Sequence, residues 1–91
     1  MTVRFTERHM DGDESHDHIA KLKWVSDETS ELGENTRAQL VAWIRDDGGK
    51  GYVKDSLGNK VNVQVVDASP PYLRTVADGE LTDNLLSLPT Y

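Results

Sequence analysis

Histidine and carboxylate side chains crowd one short stretch of this chain: His9, Asp11, Asp13, Glu14, His16, Asp17 and His18 all fall within ten residues. Imidazole nitrogen and carboxylate oxygen are the ligands of zinc and other transition metals, and His16 with His18 could chelate from an extended segment. The rest of the pattern fits metal chemistry poorly. Taken as a calcium loop starting at Asp11, it has His16 where the sharp turn needs glycine and Leu22 where a bidentate glutamate belongs. It also lacks the helical His-x-x-x-His spacing. His9, His16 and His18 are therefore weak metal ligands, and the expectation is a solvated hairpin loop with no resident cofactor.

A second constellation is cationic. On alternating strands, Arg4, Arg8, Lys21 and Lys23 would share the outward face of the first two strands, four of ten basic residues on one surface. Such a face can hold a nucleic-acid backbone, with Tyr52 or Tyr72 as a stacking platform if either points the same way. An acidic protein is the other partner that this charge suits. A solvated face that discourages edge pairing needs no partner at all.

The third constellation lies near the C-terminus: Tyr72, Arg74, Thr75, Asp78, Asp83 and Asn84. Arg74 could hold a small anionic ligand that Tyr72 and Asn84 orient, as a ligand pocket or an enzyme site. The structural alternative is a latch, with Arg74 fixed to a carboxylate and Thr82 or Asp83 capping a short terminal turn. Catalytic signatures are otherwise thin. There is no cysteine, no Gly-x-Ser-x-Gly elbow and no phosphate-binding loop. Gly48-Gly49-Lys50-Gly51 follows a predicted helix rather than preceding one, so it reads as a helix stop. The chain is expected not to be an enzyme.

The elements that must position these residues follow from periodicity. Residues 2–9 and 19–25 alternate apolar and polar and predict two strands joined by the His/Asp-rich loop. Residues 26–35 are polar and acidic, the expectation for a solvated connection. Thr36 with Gln39 three residues on has capping-box spacing, and Leu40, Val41 and Ile44 form an apolar stripe, so a helix is predicted over residues 36–46. Tyr52 and Val53 open a third strand, and Gly58-Asn59 turns it into a fourth that carries Val61, Val63 and Val65. After Pro70-Pro71, residues 72–76 give a fifth, ended by Asp78-Gly79. The tail holds Leu81, Leu85, Leu86 and Leu88 and is expected to fold back over the core and stop at Pro89. The predicted class is α+β, a β-β-α-β-β-β domain with a mainly antiparallel, twisted sheet and one helix on a face.

Ninety-one residues suit one domain, residues 1–91, with 36% hydrophobic and 29% charged side chains, the profile of a folding chain. The net charge of −6 is uneven: residues 1–47 carry 11 acidic and 6 basic side chains, residues 48–91 carry 5 and 4. A negative field disfavours general nucleic-acid affinity. The absence of cysteine, of an apolar leader at residues 1–14 and of any long apolar run leads to the expectation of a cytoplasmic protein without a membrane partner.

One family resemblance runs through these elements. YLRTVADGELTDNLLSLP at 72–89, with KWVSDETSELGENTRAQLVAWI at 23–44, GGKGYV at 48–53 and VNVQVV at 61–66, resembles the bacterial family catalogued as domain of unknown function 3892. The resemblance implies a stand-alone bacterial domain and carries no activity with it.

Overall fold

The computed structural model describes residues 2–12, 15–55, 57–77 and 79–91. Seven strands form one sheet: β1 (Thr2–Met10), β2 (Ile19–Ser26), β3 (Leu32–Thr36), β4 (Lys50–Lys54), β5 (Lys60–Val66), β6 (Tyr72–Ala77) and β7 (Glu80–Thr82). The one α-helix among the described residues, α1 (Arg37–Asp46), lies between β3 and β4 in the chain, and short 3-10 turns occupy His16–His18 and Asn84–Ser87. The spatial order is β3-β2-β1-β4-β5-β6-β7. Neighbours pair antiparallel except β1 with β4, which run parallel because the chain crosses through β2, β3 and α1 between them. This is the α+β class with a mainly antiparallel sheet and one helix across a face, as the periodicities predict, but with two more strands.

Both additional strands lie at edges, and each has a physical reason for escaping the pattern. In β3, Gly33 and Asn35 point inward while Leu32 is 79% exposed, so no apolar alternation marks it. Gly33 pairs with Trp24, whose ring lies so close that an added Cβ would fall within it. The strand is pinned by its neighbour's aromatic ring rather than by its own hydrophobes. β7 is three residues long and closes a hairpin on β6. The tail also continues beyond the predicted stop at Pro89: Arg8 donates its amide to the Pro89 carbonyl and accepts from the Tyr91 amide, a parallel bridge on the edge of β1 that β4 leaves open.

The helix begins as its residues dictate. Thr36 Oγ1 accepts from the Gln39 amide at 3.2 Å and Gln39 Oε1 accepts from the Thr36 amide at 3.0 Å, a complete capping box. It ends where Gly48 takes a φ of 68° and the Gly49 amide donates back to the Trp43 carbonyl. Leu40 and Val41 bury against Val3, Phe5, Leu22, Val53, Val61, Val63, Leu73 and Leu85. The His16–His18 turn, at the β1–β2 end, packs on β6. Three strand spacings, about 14 Å in a flat sheet, separate β1 from β6. The sheet is therefore strongly curved around this core.

Candidate functional site

A bulge rearranges the cationic residues. The β1–β2 register skips Thr6 between Phe5, which pairs with Trp24, and Glu7, which pairs with Lys23. One extra residue reverses the alternation beyond it. Arg8 therefore points inward with Val3 and Phe5 and is 7% exposed, which corrects the expectation that it shares an outward face with Arg4. Its Nε donates to the Leu88 carbonyl at 2.9 Å. The arginine thus braces the returning tail.

Lys21 and Lys23 do point outward, but each meets a carboxylate: Lys21 Nζ lies 3.9 Å from Glu34 and Lys23 Nζ 4.0 Å from Glu7. Lys23 also sits 4.4 Å above the Tyr91 ring. Burial, then the Glu34 carboxylate, pushes the Tyr91 hydroxyl up to about 12. Of the four cations expected to form a surface, only Arg4 is outward and without an ion pair among the described residues.

The strand registers assemble a different set. Arg4 pairs with Tyr52, Tyr52 with Asn62, and Lys54 with Lys60, so these side chains share the outward face, which Lys50 joins by alternation from Tyr52. Among the described residues, no carboxylate lies within ion-pair distance of Arg4, Lys50, Lys54 or Lys60. With Lys21, Lys23 and Arg74, the outer face holds seven of the chain's ten basic residues. Lys50, Lys54 and Lys60 were legible as every second residue opposite Gly51, Val53 and Val61. They escape notice because they flank a glycine-rich stop and a turn.

At the centre of this set β4 parts from β1. Pairing extends only from Thr2–Lys50 to Arg4–Tyr52, and the tail takes the edge of β1 from Arg8 onward. The parting leaves an open depression of about 180 Å³ lined by Arg4, Phe5, Thr6, Lys54 and Leu88. Beside it Tyr52 is 5% exposed, with Lys60 Nζ 4.8 Å over its ring and its hydroxyl donating to Asp27 at 2.8 Å. Burial, reinforced by that hydrogen bond, raises its pKa. Tyr52 is thus covered and offers no stacking surface.

The C-terminal constellation is largely drawn together by the β6–β7 hairpin. Arg74 Nε donates to the Thr82 carbonyl at 3.2 Å and its Nη2 to Asp83 at 3.0 Å. Thr75, on the inward side, is fully buried, with Oγ1 2.6 Å from Thr82 Oγ1 and accepting from the Asn84 amide at 3.2 Å. Thr82 donates in turn to Asn84 at 2.7 Å. Tyr72, paired with Val66, makes no hydrogen bond to this cluster among the described residues. Asp78 lies outside the described residues. The guanidinium is held by the geometry of a latch.

The three histidines separate. His9 is exposed, with Nδ1 2.6 Å from the Tyr91 main-chain oxygen, and His18 Nδ1 lies 2.8 Å from the Asp11 carbonyl. His16 is buried rather than solvated, with Nε2 3.8 Å from Asp83. Among the described residues, no three metal-ligating side chains converge.

The family comparison meets this architecture over almost its whole length: the family described as "Protein of unknown function (DUF3892)" matches residues 3–89. The chain belongs to the DUF3892 family. No match to this DUF3892 chain was found among curated proteins or among solved structures. No α-helix of the DUF3892 domain is long and apolar enough to cross a membrane among the described residues.

Proposed function

We propose that the domain is a non-enzymatic binding module that engages an acidic segment of a partner protein through the outer face of its sheet. One observation carries the reading: Arg4 and Lys54 flank an open 180 Å³ depression, and neither has an ion-pair partner among the described residues, in a chain of net charge −6. Such cations can take a carboxylate without first breaking an ion pair. Lys50 and Lys60 extend the patch on either side.

A short acidic segment suits this surface better than a nucleic acid. Screening confines the patch's attraction to about 8 Å at physiological salt, and the flanking acidic loops oppose a long polyanion. Base stacking, which supports single-strand binding, needs an accessible aromatic face beside the cations; Tyr52 is covered by Lys60, and Tyr72 sits on β6, three strands away from Arg4. The non-enzymatic part of the reading is supported by the dispersal of the histidines and by the commitment of Arg74 to Thr82 and Asp83.

The test is a titration of the domain with an oligoglutamate peptide and, separately, with oligo-dT, each at low and physiological salt. Arg4→Glu/Lys54→Glu should weaken peptide binding by about tenfold or more, and added salt should weaken it in the wild type. Equal peptide binding by the two proteins would remove the proposal. Binding of oligo-dT in place of the peptide would replace it with nucleic-acid recognition.

A further inference from the structure

On the opposite side of the sheet, α1 and the strands leave a cavity of about 140 Å³ lined by Val3, Trp24, Asn35, Gln39, Leu40 and Trp43. Its aromatic walls are braced from behind. An added Cβ at Gly33 would fall within the Trp24 ring, and one at Gly49 within the Trp43 ring, so each indole lies against bare backbone. Trp24 Nε1 is further fixed by donating to Asn35 Oδ1 at 2.8 Å. Two braced rings, with Val3 and Leu40 at the base, are a preformed apolar recess rather than a gap that side chains can collapse to fill.

We propose that this recess binds one neutral aromatic ring of benzene size carrying a single hydrogen-bond acceptor. The volume sets the size, since an apolar cavity of about 150 Å³ takes one benzene. The lining sets the charge: no ionisable side chain contributes to it, and burying an ion there would carry its full desolvation cost. The acceptor follows from the rim. Asn35 Nδ2 donates to Gln39 Oε1 at 3.1 Å, which also accepts from the Thr36 backbone amide, whereas the Gln39 side-chain Nε2 has no acceptor among the described residues. Its N–H groups are available to a phenolic oxygen at the mouth. The occupant is a small molecule, because a ring with one substituent already fills the recess.

Trp24 and Trp43 are the only tryptophans in the chain, so both reporters line the site. Titration with phenol, followed through the two indole N–H resonances, should give saturable shifts at both with a dissociation constant on the order of 1 mM, the range open to so small a ligand. Leu40→Phe, which grows into the recess, should weaken binding at least fivefold while two dispersed indole resonances persist. Gln39→Ala should weaken phenol more than toluene, a comparison that stands even if the Leu40 variant does not fold. Arg4→Glu/Lys54→Glu should leave phenol binding unchanged, which separates this site from the anionic-partner surface. Absent shifts, or linear shifts that are equal in the Leu40→Phe protein, would overturn the proposal.

Discussion

Arg8 shows how much one side chain can carry when a bulge turns it inward. A buried guanidinium is tolerated only with its donors engaged, and here Nε holds the Leu88 carbonyl while the same residue's backbone bonds Pro89 and Tyr91. Arg8→Met keeps much of the volume but removes the charged donor. Equilibrium urea unfolding should register a loss of about 2–3 kcal/mol, whereas the outward Arg4→Met should change stability little. Tyr91 makes a second prediction. Its pKa is raised to about 12, above the unfolded value of 10.0, so the folded state holds the phenolic proton more tightly. The stability this contributes is complete below pH 10 and is lost as pH rises toward 12. Unfolding curves across that range should show the wild type losing stability faster than Tyr91→Phe. A parallel decline would mean that the phenol is not coupled to folding.

Among the elements, α1 was the most legible because its start is written in two residues whose side chains bond each other's backbone. Thr36→Ala removes the hydroxyl acceptor for the Gln39 amide and should cost about 1 kcal/mol, read as a lowered denaturation midpoint with an unchanged slope. Strands facing the core were legible for a similar reason: Val53, Val61, Val63 and Leu73 must alternate to reach it. β3 was not, since its inward positions are Gly33 and Asn35, chosen by the Trp24 ring of the neighbouring strand. Nor could the alternation of β1 reveal its bulge. Thr6 is an ordinary strand residue, and what makes it unpaired is the register with β2, a relation between two segments. Of the candidate surface only Arg4 stood out in the sequence, because Lys50, Lys54 and Lys60 flank a glycine-rich stop and a turn. Sequence order groups Lys21 and Lys23 with Arg4, but pairing neutralises them through Glu34 and Glu7, and the parallel β1–β4 contact brings Lys54 and Lys60 in from far along the chain.

At the scale of the whole molecule, charge is distributed against itself. The outer sheet face concentrates cations while the chain as a whole carries −6, and a net charge of one sign destabilises a compact state through self-repulsion. Raising the salt from about 10 mM to about 150 mM shortens the screening length from about 30 Å to about 8 Å. Thermal unfolding should therefore move to higher temperature over that range, and a fall would mean that the unscreened attractions, those around Glu7, Lys23 and Glu34 among them, dominate. On the proposed reading, the same opposition of charges would orient encounter, the loops repelling an acidic segment and the sheet face attracting it.

The bridge between Arg8 and the last residues has a consequence in time. Its hydrogen bonds join positions about 80 residues apart, so they are among the most distant contacts the chain makes and carry a large loop-closure cost. During synthesis the first strand leaves the ribosome early, with its edge beyond Arg4 unmatched until residues 88–91 follow. Until those residues arrive Arg8 must stay in water, so its burial requires segments from both ends of the chain to be in place.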